Sequence, residues 1–467
     1  MRCLQAFHGS GATGIGAAGV GAAGVGKTRT GVALAAALLL TPAWALDLRQ
    51  AYEAAQENDA SIRASRAGAA AAHEKLPQAR ALRLPNLSFN AGANRNSLKT
   101  TSETFFGPRT SSNAYNSNTQ ALVLRQPIYR PYLSAQEDQA RAQVAGADAT
   151  LENDEQSLVL RVSEAYFDAL LARMQRDLIA AQKLAYATQL DAATKGFKAG
   201  SGMRTDIDEA QARVDMSLAQ ELEAAQNVEF TRQRLAVLVG KPFGELADLD
   251  IASFRPQPPT PASLAEWIAQ AEAANPQLRS LQAQVDTAAK EIEKANAGHK
   301  PTLDAVAGWA RSDSDTVTNV NTVYNQKYVG LQLSVPLFAG GYVSSTVRQA
   351  VADQERARES LEAARRDLGV KVYEQYRAMT EGILRVGALA QAVRSAEQAL
   401  QSSRKSFTAG ARTTVDVLNA EQQRTLAARD LAQARYLYLL SRIRLQALAG
   451  NDRWANVDQA NASLIAP

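Results

Sequence analysis

The residue pattern with the most recognisable chemistry lies near the start of the 467-residue chain, where Gly21 to Thr28 fits the phosphate-binding loop G-x-x-x-x-G-K-T. In such a loop backbone amides cradle phosphates, Lys27 would supply the counter-charge and Thr28 would bind Mg²⁺. That chemistry needs a β-strand before the loop, but residues 9–24 are a string rich in Gly and Ala without a strand pattern. We therefore interpret the match as chance composition, which makes a nucleotide-binding enzyme the weakest functional hypothesis.

Residues 1–45 instead have the organisation of a secretory signal with an extended N-terminal leader. A basic segment around Lys27 precedes an apolar run, residues 31–40, and Ala43-Trp-Ala45 fits the A-x-A cleavage pattern. We predict cleavage after Ala45, which would remove Cys3, the single cysteine. His73 and His299 are the histidines beyond the leader, so we expect no His/Cys metal site and no cofactor.

Charge and composition narrow the function classes further. Arg2, Lys27 and Arg29 carry three of the four net positive charges, so the mature chain lacks the basic footprint of a nucleic-acid-binding protein. The hydrophobic share is 46% but only 6% of residues are aromatic, which favours long, closely packed helices over a thick globular core.

Two stretches near the middle of each half share an order of residue types. Phe197, Gly200, Asp206 and Ala210 recur as Phe407, Gly410, Asp416 and Ala420, each 210 positions later. A Gly after one helical run, followed by Thr or Asp before the next, predicts a C-cap, a turn and an N-cap in series. Each stretch is therefore predicted to be the turn of a helical hairpin, with no catalytic residues.

The hairpins belong to a tandem duplication. Tyr52 matches Ile268, and Pro85-Asn-Leu87 matches Pro301-Thr-Leu303, at a common offset of 216. We predict a first repeat over residues 46–240, a Pro-rich connector over 241–261, a second repeat over 262–450 and a tail over 451–467.

Each repeat begins with an amphipathic helix, predicted in the first from Leu48 to about Leu84, and then changes to period two. Two strands of roughly ten residues flank a polar segment, 98–112 in one repeat and 312–322 in the other. Four strands with one apolar face cannot close a barrel, and lipid does not tolerate open edges, so oligomerisation would have to complete it. The alternative is an exposed hairpin packed on the helices.

Long helices follow each hairpin. They are predicted over 131–194 and 343–406, roughly 95 Å each, with return helices over 204–239 and 414–449. A seam of alternating 4/3 spacing predicts helix-to-helix packing. Its members are Val372, Tyr376, Met379, Ile383, Val386, Ala390 and Val393.

The duplication, the strand ends Gln126-Pro-Ile-Tyr129 and Val335-Pro-Leu-Phe338-Ala-Gly-Gly341, and the two turns together resemble the TolC family of outer-membrane ducts. The resemblance implies a mainly α fold with a transmembrane β-barrel. Each subunit of a homotrimer would contribute four β-strands to the barrel and two long α-helical hairpins to a coiled-coil tunnel across the periplasm.

The resemblance also implies a gate at the tips of the hairpins. Arg412 matches a latch arginine, Thr205 and Asp206 match its partners, and Phe407 stands where the family has a Tyr that hydrogen-bonds. Asp416 matches one acidic constriction ring, and Asn419 leaves the second ring neutral. The alternatives from the residues alone are an i,i+4 pair of Arg412 with Asp416 and an N-cap at Thr205 or Asp206.

The leading functional hypothesis is a passive export duct in the cell outer membrane, contacting lipid. By resemblance, a periplasmic adaptor would dock near Gly200 and Gly410 and couple the duct to an inner-membrane ABC or proton-driven pump. Type I protein secretion is favoured, with drug efflux as the alternative. A periplasmic coiled-coil tether without a pore is the alternative from another class.

Overall fold

The structure is a computed structural model that describes residues 46–314 and 322–465; the predicted signal segment and Gly21–Thr28 lie outside them. The helices are α1 (Leu48–Asn58), α2 (Ala60–His73), α3 (Lys75–Ala81), α4 (Pro131–Lys198), α5 (Arg204–Val239), α6 (Leu264–Ala274), α7 (Pro276–Asn296), α8 (Tyr342–Thr408), α9 (Thr414–Leu448) and α10 (Arg453–Asn461). The strands are β1 (Asn86–Thr104), β2 (Gly107–Tyr129), β3 (Thr302–Ser314) and β4 (Thr322–Ser334).

Two long helical hairpins dominate the chain. α4 has 68 residues and α8 has 67, so each is roughly 100 Å long. α5 and α9 run back along them, with the predicted bounds reproduced for α5 and missed by one residue at the end of α9. In the predicted seam Val372, Met379 and Val386 are buried and the four other members are partly buried, which confirms helix-to-helix packing. No helix among the described residues combines the length and apolarity that a membrane crossing requires.

The prediction of one continuous helix from Leu48 to Leu84 is wrong. Asp59 interrupts it, because its carboxylate accepts hydrogen bonds from the Ser61 and Ile62 amides and starts a new helix there. The second repeat is interrupted at the equivalent position, where Asn275 caps α7.

The short helices hold the far ends of the return helices. The Asn58 side chain donates to the Val239 carbonyl, and that of Asn275 donates to the Leu448 carbonyl, both at 3.0 Å. At Gly240, where φ is +78°, a Cβ would come within 2.4 Å of Asn58, so this approach requires glycine. In both repeats, therefore, an asparagine side chain binds the last carbonyl of the return helix. Both repeats pack around one hydrophobic core, which includes Trp267.

The four strands form one antiparallel sheet in the order β1-β2-β3-β4. The four predicted strands are confirmed, but the first two are much longer than predicted, at 19 and 23 residues, and continue through the polar segment 98–112. Thr and Ser suit the pleated backbone, and the Thr101 and Thr110 hydroxyls lie 2.9 Å apart across the pair. Of the second polar segment, residues 315–321 lie outside the described residues.

One face of the sheet is apolar and exposed. Cross-strand pairing places Leu87 opposite Leu124 and Ala307 opposite Val329, which is 87% exposed. Ser88 and Gln332 point to the other face, as expected from the period of two.

Two carboxylates fix the junction between sheet and helices. Asp304, 2% exposed, binds Arg125 and Arg130 where β2 passes into α4. Glu137 on α4 binds Arg80, Arg83 and Arg141 at 3.2, 2.6 and 2.7 Å. Arg141, Arg83 and Arg80 lower the pKa of Glu137 to about 2.

We predict that Glu137→Gln lowers the free energy of unfolding in detergent by about 1–3 kcal/mol, because three charge-assisted hydrogen bonds are lost. The change should be measured as a lower thermal unfolding temperature. Since the folded-state pKa is depressed, the difference from wild type should be full above pH 4.5 and disappear as pH falls through about 2. Glu53→Gln, which removes an exposed i,i+4 partner of Arg49, is the matched control and should cost about 0.2–0.5 kcal/mol. Equal shifts for both variants would contradict the prediction.

Candidate gate at the helical tips

The second tip, between α8 and α9, is closed by local hydrogen bonds. Gly410, with φ at +72°, donates its amide to the Phe407 carbonyl at 2.9 Å and ends α8. Thr413 then caps α9: its amide and hydroxyl donate to Asp416 Oδ2 at 2.9 and 2.8 Å, and its Oγ1 accepts from the Asp416 amide. This reciprocal capping box confirms the predicted order of C-cap, turn and N-cap.

The first tip, between α4 and α5, is capped more weakly. Gly200 also has a positive φ, +75°, and the amides of Ser201 and Gly202 both donate to the Gly196 carbonyl. Met203 occupies the N-cap position and offers no capping side chain, while Asp206 accepts the Met203 amide at 3.3 Å. The alternative of an N-cap at Thr205 or Asp206 is therefore wrong, because α5 begins at Arg204 and both residues lie in its first turn.

Arg412 reaches back to its own hairpin. Its Nη1 donates to Ser403 Oγ at 2.7 Å, and Ser403 is 1% exposed. Among the described residues Arg412 pairs neither with Asp416, as the i,i+4 alternative required, nor with Thr205 or Asp206. The latch stays a prediction.

Asp416 is held in its charged form. The two hydrogen bonds from Thr413 keep the pKa of the Asp416 carboxyl below its usual value, with a smaller contribution from the charge of Arg412. Asp416 therefore carries a negative charge at neutral pH, half-exposed on the first turn of α9. Its role in a constriction ring stays a prediction.

Asn419 binds a residue that the sequence did not single out. Arg213 on α5 donates to Asn419 Oδ1 at 3.0 Å and to Gln422 Oε1 at 2.7 Å. The contact joins two hairpins whose contacting residues are 206 positions apart in the sequence. The periodic patterns of the sequence do not predict it.

A groove of about 840 Å³ runs between α4 and α8 above the second tip, with α9 as its floor. Half-buried Phe407 lines it together with Leu184, which is exposed. Glu421, buried in the floor, binds Arg404 and Arg424, each at 2.9 Å. Among the described residues no cluster of His, Cys, Asp and Glu could hold a metal ion.

A sheet with an exposed apolar face, set on two long helical hairpins with capped tips, defines the class of outer-membrane channels with a helical tunnel. The profile of the family described as outer membrane efflux protein matches residues 51–241 and 267–451, one segment in each repeat. The chain belongs to this family, whose members are ducts in the outer membrane and not enzymes.

Known relatives cover nearly the whole chain and confirm the resemblance to the TolC family. The alkaline protease secretion protein AprF of Pseudomonas aeruginosa is 34% identical over 92% of this chain and 88% of its own length. The outer membrane protein TolC of Escherichia coli is 33% identical over 86% of this chain and 82% of its own length.

The fold is that of solved channels. CusC, whose crystal structures concern folding and transmembrane channel formation, superposes with a TM-score of 0.75 at 16% sequence identity, covering 87% of this chain and 92% of CusC. The predicted fold class, long helical hairpins with four strands for a barrel, is confirmed.

We predict that Gly410→Ala loosens the second tip, because the left-handed backbone costs an L-residue roughly 1–2 kcal/mol although the site has space for a Cβ. Hydrogen exchange of the amides of residues 409–416 should accelerate by about tenfold. Gly387→Ala, in the middle of α8 and also facing open space, is the control and should stabilise the helix by about 0.5–1 kcal/mol. Unchanged exchange at the tip in Gly410→Ala would contradict the prediction.

Proposed function

We propose that three copies of this chain close one β-barrel in the outer membrane and form a passive export duct for type I protein secretion. The observation that carries the pore is the sheet, which has an apolar face and leaves the outer edges of β1 and β4 unpaired among the described residues. Such edges are stable in lipid only when a barrel closes, so neighbouring copies must supply the missing partners. AprF, a protease secretion protein, supports the choice of cargo.

The tips form the periplasmic gate in this proposal. Arg412 and Phe407 of one subunit's second tip face Thr205 and Asp206 of a neighbouring subunit's first tip, and symmetry-related Asp416 side chains surround the axis. Ionised carboxylates around a narrow path attract cations and repel anions. Asn419 adds no charge, and Phe407 packs without a hydrogen bond, so the resting gate is held less firmly than one with Tyr at this position.

A periplasmic adaptor docks on the grooves near Gly200 and Gly410, and an inner-membrane ABC transporter supplies the energy. Cleavage after Ala45 releases the mature chain to the outer membrane, with repeats over 46–240 and 262–450. The groove beside Phe407 supports this docking, because it exposes apolar side chains next to the tip turn.

Drug efflux with a proton-driven pump is the second candidate, favoured by the description of the family as efflux proteins. The coiled-coil tether without a pore is wrong, because the family and the fold are those of a channel.

A clean deletion strain separates the two cargoes. We expect at least one secreted protein to disappear from the medium while susceptibility to dyes, detergents and antibiotics is unchanged. Restoration by the wild-type gene is the control. Broad hypersensitivity with an intact set of secreted proteins would instead establish drug efflux.

We predict that Asp416→Asn reduces the cation preference of the reconstituted channel, measured as the reversal potential in a salt gradient, because the charge of the ring is lost. Thr413→Ala removes the cap of the same helix turn, at a cost of about 1 kcal/mol, but leaves the carboxylate and should keep the preference. The ring is refuted if the two variants change the reversal potential equally.

A further inference from the structure

Toward the tips, the contacts inside each hairpin differ in kind from those between the hairpins. Lys183 on α4 pairs with Glu221 on α5, and Arg404 on α8 pairs with Glu421 on α9. Each hairpin is thus held together near its tip by an ion pair between its own two helices.

Toward the tips, the polar contact between the hairpins is made by Arg213. The Arg444–Glu164 ion pair also joins the two hairpins, further from the tips. Between that pair and the tips, in the described part of the chain, two side-chain hydrogen bonds connect the hairpins, and Arg213 donates both of them. Asn419 and Gln422 lie three positions apart on one face of α9, so the forked guanidinium meets both oxygens at once. Because a guanidinium only donates, both amides must present their oxygens to it.

A small apolar contact lies beside this arginine. Ala210, Tyr186 and Leu418 are buried together there, with Leu190 and Val214 packed against them. The Arg213 side chain is 28% exposed, so its bonds are shielded from water on one side and open on the other. Hydrogen bonds that remain open to water on one side have a modest net strength, so they can break and form again.

We propose that the Arg213 joint, made of Arg213, Asn419 and Gln422, holds the second hairpin against the first within one subunit and sets the resting opening of the duct. In this role Asn419, which was predicted to leave the second ring neutral, is a positioning residue that Arg213 holds toward α5 and away from the axis. The joint rests on the proposed duct function and adds to it a restraint inside each subunit, independent of the latch at Arg412.

The first test is single-channel conductance of the purified protein in planar bilayers. Arg213→Ala and Arg213→Gln should raise the conductance several-fold, because both bonds to α9 are lost. Arg204→Ala is the matched control: Arg204 lies on the same helix, and its ion pair is to Asp208 on that helix. It should conduct like wild type, and all variants should keep the wild-type circular dichroism and oligomer size.

The second test uses Asn419→Asp. In the wild-type background the new carboxylate should pair with Arg213, so the conductance falls or stays the same and the reversal potential does not change. In the Arg213→Ala background the carboxylate of residue 419 should have no such partner. The reversal potential should then shift toward the equilibrium potential of the cation.

Wild-type conductance in both Arg213 variants would overturn the joint while leaving the duct intact. An equal shift of the reversal potential by Asn419→Asp in both backgrounds would also overturn it, since Asn419 would then face the axis. A wild-type protein that forms no conducting channel would overturn the proposed function itself, and the joint with it.

Discussion

Backbone amides and carbonyls along the outer edges of β1 and β4 have no partner strand among the described residues, and lipid offers them none. This constraint makes the sheet incomplete as a single copy. It also governs the helices, because α4 begins at Pro131, two residues after β2 ends at Tyr129, and α8 begins at Tyr342, eight residues after β4 ends at Ser334. Closing the barrel therefore places the helical hairpins in a ring. Asp304 on β3 binds Arg130 at the start of α4, and Glu137 on α4 binds Arg83 just before β1, so these two carboxylates hold the first hairpin to the sheet.

Local rules made most of the fold predictable from the sequence. The change from helical period to period two after Pro85 and Pro301 located the sheet, and Gly200 and Gly410 located the tips. The misses arose where one side chain decided the outcome. Asp59 ends a pattern that reads as continuous helix, because its carboxylate satisfies the amides that start the next one. β1 and β2 extend beyond the segment in which apolar residues alternate, because Thr and Ser side chains pair across the sheet without a hydrophobic core.

The tips were predictable as turns but not as a set of contacts. Spacing identified Asp416, and its capping partner Thr413 is only three positions away, within the range of local reasoning. Arg412 binds Ser403 across the turn, and Arg213 binds Asn419 across the whole repeat. These bonds depend on how helices lie beside one another, and neither period nor composition encodes that arrangement. Matching Arg412 to a family position identified the residue and left its partner within the subunit unknown.

The two tips differ in the local contacts that stabilise them. The second is rigid in itself, with a full capping box and Arg412 bonded to Ser403. The first has no side-chain cap at Met203 and depends on three glycines near its turn. Toward the tips, the contacts between the hairpins end on the neutral acceptors Asn419 and Gln422, so separating the tips exposes no unpaired carboxylate there. Splitting the first hairpin, by contrast, would separate Glu221 from Lys183. The least costly motion of this structure therefore moves one hairpin as a unit against the other, with the tips as the part that travels furthest from the common core.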